Sequence, residues 1–448
     1  MTRLRRRLRI IRLFPDRVKK EFHVFGLGWV VVCASLASAR PLCYAGCRDK
    51  PRSFAIRLRA WQKNALLATA SLLFLFAVAE AVTRLLWEPG GYQPVIRADP
   101  VYGWALDPGT RLHAVDTDRS IDFTIEVNAL GLRDPERTRR KPPGVQRVLL
   151  LGDSMAFGTG IEIGWRYSDL LDSSLGGDVE VVNAAVPGWG TDQEFLYLCR
   201  EGLSLEPDAV VLALCLANDV SNNRLQHQLF GFAPKPRFVL DAGVLVHEPP
   251  AIQSEASARQ RLGTLLKKSR FAHYVGRHLR TLQSQRRSRS APVAPYHPED
   301  LDSGESHWAA FRKPYTPSFE AAFQVTEALI EATFDSCTAR GVALILFAFP
   351  MKFEVDPVAR ERELHHYGYD PSWFDLMAPY ERVQRLAERL EVPFISALDD
   401  FQRSHQKQPL FLARDAHPNA AGHAVAAASL EDAVRRALAA AAREHTTR

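Results

Sequence analysis

Five short apolar runs between residues 147 and 395, separated by stretches with helical periodicity, constrain this chain more than any other feature. Val148–Leu151, Val179–Asn183, Ala209–Leu216, Val342–Phe349 and Pro393–Ile395 read as strands. Tyr167–Leu175, Gln193–Gly202, Phe319–Arg340, Pro379–Leu390 and the Ala-rich Gly422–Arg443 read as helices. Apolar strands alternating with helices make a parallel sheet covered on both faces. Ligands of such sheets bind beyond the carboxyl ends of the strands. The residues that directly follow each run are therefore the ones to inspect.

Two segments depart from that alternation. Residues 88–146 carry turn signals (Tyr102-Gly103-Trp104, Asp107-Pro108-Gly109, Asn128-Ala129-Leu130-Gly131) around the alternating stretch Asp122–Val127 and read as a β-rich lead-in. Residues 221–318 interrupt the main domain, 147–448, as an insertion. Within it, Arg237–Val246 reads as a hairpin turning at Asp241–Gly243, Leu262–Leu282 as a helix, and Ser284–Ser306 as a mobile loop. Arg133 and Asp134 fit a structural turn, and Trp189 fits either a sugar-facing or a buried aromatic.

The net charge of +6 is unevenly spread. Residues 1–64 hold 16 Lys and Arg against 3 Asp and Glu, whereas residues 65–448 hold 41 against 48. A basic nucleic-acid groove across the main domain is excluded on that ground. The basic tail instead precedes an apolar stretch, residues 65–87, long enough as a helix to cross a bilayer. Arg52, Arg57, Arg59 and Lys63 before it place the tail in the cytoplasm and the main domain outside, in the periplasm or beyond. A single-pass inner-membrane anchor is the expectation. The second apolar segment, Phe22–Ala39, fits an interfacial stretch or an upstream extension, because two spans would export the nine Lys and Arg of residues 1–20. Of six cysteines only Cys199, Cys215 and Cys337 fall in the exported part, so no disulfide framework is implied. Cys215, in an apolar run, reads as core, and no zinc spacing is present around Cys43 and Cys47.

The first strand stops at Gly152-Asp153-Ser154, which brings a hydroxyl to the active edge of the sheet. The second is followed by Pro187-Gly188-Trp189 and the third by Asn218-Asp219. Just before the last helix stands Arg414-Asp415-Ala416-His417-Pro418-Asn419. Serine hydrolysis needs a nucleophile, a base, a group that orients the base, and donors for an oxyanion. Ser154 fits the nucleophile and His417 the base. Asp415, two residues away in an extended loop, points the same way as His417. The backbone N–H groups of Ser154 and Gly188 and the Asn218 side chain fit the donors. Asp153 and Asp219 fit local hydrogen bonding.

This order of motifs resembles the SGNH (GDSL-type) hydrolase family over about residues 147–430, and the lead-in resembles that of membrane-anchored bacterial members. The resemblance implies a flavodoxin-like three-layer α/β/α fold with strand order 2-1-3-4-5. It implies Ser154 as nucleophile, His417 as base, Gly188 and Asn218 in the oxyanion hole, and no metal or organic cofactor. The chain departs from the pattern twice. Leu216 stands where a glycine usually precedes the asparagine, and Arg414 stands where the acid usually precedes the histidine. Asp415 at Asp-x-His spacing resembles related polysaccharide O-acetyltransferases, which leaves the third member of the triad open. The expected activity is ester hydrolysis on O-acyl, above all O-acetyl, groups of envelope glycans or lipids. The alternatives are an O-acyltransferase using the same acyl-enzyme and a non-catalytic glycan-binding module. No oligomeric state is indicated.

Overall fold

The computed structural model describes residues 60–86, 95–116, 119–226, 234–250, 269–272, 274–276, 278–279 and 306–446. The Phe22–Ala39 segment, most of the Leu262–Leu282 helix and all but the end of the Ser284–Ser306 loop lie outside them.

The described residues before Trp87 and those after it fall into two separate units. In the first, Ala60–Leu86 is one helix, and its Gln62–Leu86 part is long and apolar enough to cross a membrane. Leu66, Leu67, Leu72, Leu73 and Phe74 on it are exposed.

The second unit is built on a five-stranded parallel sheet. Numbering strands along the chain, β1 is Ile96–Asp99, β2 Gly103–Leu106, β3 Arg111–Asp116 and β4 Ile121–Glu126. Then follow β5 Gln146–Leu151, β6 Val179–Asn183, β7 Ala209–Leu214, β8 Arg237–Asp241, β9 Val244–Glu248, β10 Ala343–Ala348 and β11 Phe394–Ser396. The sheet order is β11-β10-β7-β5-β6 with every pair parallel. Counted within the sheet this is the 2-1-3-4-5 order expected of a flavodoxin-like fold. All six residues of β7 are buried, as befits the central strand of a sheet covered on both faces.

Two helical layers cover it. Helix Ala420–Thr446 packs on Tyr167–Leu175 and Leu398–His405, and helix Pro317–Thr338 packs on Thr191–Arg200, Leu216–Arg224 and Ala378–Leu390. The lead-in forms two antiparallel hairpins, β1–β2 and β3–β4. The Arg133 side chain ties them to the main sheet: its buried guanidinium donates to the carbonyls of Thr124, Phe157, Gly158 and Ile161. Asp241-Ala242-Gly243 turns the β8–β9 hairpin at the expected place.

The third strand ends two residues earlier than its apolar run suggests. Leu216 begins a helix, Leu216–Arg224, because the Asp219 carboxylate reaches back and accepts the Cys215 N–H at 2.8 Å. Burial alone is the same in both states here, so hydrophobicity did not distinguish strand from helix. The chain also re-enters the core before residue 318: Trp308, Ala309, Ala310 and Phe311, in the short helix His307–Phe311, are buried.

Candidate active site

Ser154 sits at the start of the one-turn helix Ser154–Phe157, directly beyond the carboxyl end of β5. Gly152 makes that turn possible. A Cβ there would stand 2.7 Å from the Ala156 Cβ and 3.2 Å from that of Ala213. Asp153 caps the turn by accepting the Met155 N–H at 2.8 Å.

His417 reaches Ser154 from a loop that the chain pins on both sides. Leu412 N–H bonds the His417 carbonyl at 2.9 Å, and Asn419 N–H bonds Leu410 at 2.9 Å. The Asn419 side chain donates to the Pro409 and Phe411 carbonyls and accepts the Gly422 N–H that opens the last helix. Lys352 Nζ donates to the Leu412 carbonyl at 2.8 Å. The imidazole Nε2 lies 2.8 Å from Ser154 Oγ.

The other ring nitrogen, Nδ1, hydrogen-bonds Asp415 Oδ1, and the same oxygen accepts the His417 backbone N–H at 2.9 Å. A loop residue two positions back thus holds both the ring and its backbone, as the extended-loop reading expects. Asp415 is largely buried, which would raise its pKa. The hydrogen bonds and charge of His417, with the charge of Arg119, outweigh burial and hold the carboxyl down at about 2. Arg119 Nε stands 3.5 Å from Asp415 Oδ2. Arg414, at the position where the family's acid usually stands, is exposed.

The three candidate donors share a pattern of burial. Ser154 is the one residue of 147–159 that is not buried, Gly188 the one of 181–198, and Asn218 the one of 207–223. Three buried stretches, following three adjacent strands, each open to solvent at a single residue. Gly188 has φ +79°, a left-handed conformation that favours glycine. Neither the Ser154 nor the Gly188 N–H donates to a protein acceptor among the described residues. Asn218 Nδ2 donates to Asp153 Oδ2 at 2.7 Å. An amide nitrogen has two hydrogens, so one remains for a ligand. Burial raises the Asp153 pKa, against the hydrogen bonds from Asn218 and Met155 that lower it.

His307 was not a candidate from sequence. Burial lowers its pKa, opposed by a hydrogen bond to the Ala217 backbone and assisted by the charge of His417. It bonds the residue that directly precedes Asn218. The only sequence signal was the apolar Trp308-Ala309-Ala310-Phe311 that follows it. Among the described residues no cluster of three or more His, Cys, Asp or Glu could hold a metal ion. Cys199, Cys215 and Cys337 are free thiols, the last two buried.

Residues 303–448 match the family model described as an SGNH hydrolase-like domain, acetyltransferase AlgX. Over that segment the chain is similar to an SGNH hydrolase-like domain, and the segment holds Asp415 and His417. Ser154, Gly188 and Asn218 precede it in the chain, each just beyond a strand of the same sheet. No curated protein matches the chain. Among solved structures, TesA is similar at 12% identity and TM-score 0.33, covering 65% of this chain and 99% of its own. An acetyl xylan esterase is similar at 15% identity and TM-score 0.33, covering 64% and 99%. A variant of an acetyl-xylooligosaccharide esterase from Geobacillus is similar at 14% identity and TM-score 0.32, covering 65% and 94%.

Proposed function

We propose that the protein is a membrane-tethered serine esterase that removes small acyl groups, foremost acetyl, from envelope glycans or lipids through an acyl-enzyme on Ser154. The observation that carries this reading is the 2.8 Å contact between Ser154 Oγ and His417 Nε2, with Asp415 on the far side of the ring.

Ser154 Oγ attacks the ester carbonyl carbon while its proton passes to His417 Nε2. The carbonyl oxygen becomes an oxyanion between the N–H groups of Ser154 and Gly188 and the free hydrogen of Asn218 Nδ2. The tetrahedral centre collapses, the carbon–oxygen bond to the alcohol breaks, and His417 returns the proton to the departing oxygen. Water then attacks the acyl-enzyme by the same sequence and releases the acid and Ser154. Asp415 stays ionised throughout, fixing the ring tautomer with its proton on Nδ1 and stabilising the imidazolium.

Transfer of the acyl group to a sugar hydroxyl is the second reading. It is favoured by the description of the matched family as an acetyltransferase. The first step is identical, and only the second nucleophile differs. The apolar Gln62–Leu86 helix supports the tether, with the basic residues before it on the cytoplasmic side.

The test is fluorophosphonate labelling and p-nitrophenyl acetate turnover of the full chain in detergent, beside Ser154→Ala and His417→Ala. Labelling and turnover that vanish in Ser154→Ala and fall sharply in His417→Ala are expected. Folded wild-type protein that neither labels nor turns over ester would overturn the reading. Added O-acetyl-free oligosaccharide that becomes acetylated, at the expense of acetate release, would favour transfer.

A further inference from the structure

From the lead-in hairpins the site described above draws only on Arg119, in the β3–β4 turn, beside Asp415. Yet β2 makes a buried contact with the backbone of the site. Trp104 Nε1 donates to the Pro187 carbonyl at 3.0 Å, and Trp189 Nε1 donates back to the Trp104 carbonyl at 3.0 Å. Both indoles are 1% exposed. Gln193 Nε2 adds a third link, to the Tyr102 carbonyl at 2.7 Å.

The Pro187 carbonyl belongs to the same peptide unit as the Gly188 N–H. In a trans peptide the two point in opposite directions. Fixing the carbonyl toward buried Trp104 therefore directs the N–H away from it, on the side where Gly188 is the only residue of 181–198 to reach solvent. The Val186–Trp189 turn, closed by the Trp189 N–H on the Val186 carbonyl at 3.1 Å, favours this plane through its Pro-Gly pair but leaves the flip between type I and type II forms open. Its orientation depends on ψ of Pro187 and φ of Gly188, and proline locks only its own φ while glycine accepts either hand. A peptide that can rotate at low cost needs a tertiary anchor. Without the indole N–H, the Pro187 carbonyl would be buried and unpaired, which itself drives rotation.

We propose that Trp104 is a positioning residue for the oxyanion hole, holding the Pro187–Gly188 peptide in the orientation that offers the Gly188 N–H to substrate. The lead-in is then part of the catalytic apparatus and more than a spacer between membrane and enzyme. This rests on the acyl-enzyme reading above.

The experiment compares Trp104→Phe and Trp189→Phe with wild type and Ser154→Ala, all as full chains in detergent, on p-nitrophenyl acetate. Each Trp→Phe variant loses one buried indole hydrogen bond of equal length, but only that of Trp104 ends on the oxyanion peptide. Trp104→Phe should lower kcat about tenfold, a part of the loss seen when a hole donor is removed outright. KM should stay within about twofold and the pH profile of kcat/KM should keep its midpoint, because the Ser154–His417 pair is untouched. Trp189→Phe should lose comparable thermal stability with a kcat loss at least about threefold smaller. Equal kcat losses in the two variants, or a Trp104→Phe kcat within about twofold of wild type, would overturn the inference while leaving Ser154 as nucleophile. Wild-type turnover that survives Ser154→Ala would remove the reading beneath it as well. If Trp104→Phe does not fold, 3-benzothienylalanine at position 104 keeps the shape of indole without its N–H and is judged by the same criteria.

Discussion

Asn218 gives one amide hydrogen to the buried Asp153 carboxylate across 2.7 Å, joining the turns after β5 and β7. Asp153 is the neighbour of Ser154, and its other oxygen caps the helix that Ser154 starts. One carboxylate thus sets both the turn at Ser154 and the Asn218 amide. The second Asn218 hydrogen is aimed by the first, because the two are fixed in one plane.

Removing that pair in steps gives the first prediction. Asn218→Ala should lower kcat about a hundredfold, the usual cost of an oxyanion donor. Asp153→Ala should lower it by a similar factor. The double variant should be little worse than the poorer single one, since both remove the same aimed hydrogen. Steady-state kinetics on p-nitrophenyl acetate provide the measurement, and simple multiplication of the two losses would contradict the linkage.

The acid of the triad is testable by contrast. Asp415→Asn should reduce kcat by about 10³ to 10⁴, the scale seen when the orienting carboxylate is lost. Arg414→Ala, at an exposed position, should change kcat by less than about twofold. Arg119→Ala should fall between, within about threefold, because an ion pair at 3.5 Å with a half-exposed arginine is weak.

Stability in acid should report Asp415. Its folded pKa of about 2 lies below the unfolded value, so the folded chain binds fewer protons between them. The stabilisation is complete above about pH 4 and is lost as pH falls toward 2, amounting to about 2 kcal/mol. Melting temperatures from pH 5 downward should drop less in Asp415→Asn than in wild type. Glu354 has the opposite sign. Burial raises it to about 7, against hydrogen bonds from Tyr380 and Met351. Its contribution is full below about pH 4.5 and is lost as pH rises through 7.

Arg133 should be a stability position with no direct part in chemistry. Its guanidinium donates to four carbonyls at 2.5–3.0 Å, and Arg133→Met would take those N–H groups away. A loss of about 3 kcal/mol in unfolding free energy is expected from denaturant titration, the scale for buried acceptors left without a donor. Residual folded enzyme should keep its KM.

Much of this was legible in one dimension. Tyr167–Leu175 and Val179–Asn183 stand where their patterns place them, and the sheet order is the one the family resemblance implied. The helix and the strand depend on side-chain periodicity and glycine stops, which act within a few residues. The pairing of Asp415 with His417 was likewise local, two residues along one extended loop. The helix beginning at Leu216 was not, because Leu216 and Ala217 are buried whether strand or helix, and the deciding hydrogen bond from Cys215 to Asp219 leaves no trace in hydrophobicity.

The sequence alone therefore named the candidates for reaction, since Gly-Asp-Ser, the glycine and asparagine after successive strands, and Asp-x-His each stand in a short segment. Only the tertiary structure decided how those groups are aimed. Trp104 against Pro187, Asn218 against Asp153 and Arg119 against Asp415 join residues that are remote along the chain. A hydrogen bond across a packed core depends on where two backbones come to rest, and no local pattern of residues encodes that distance.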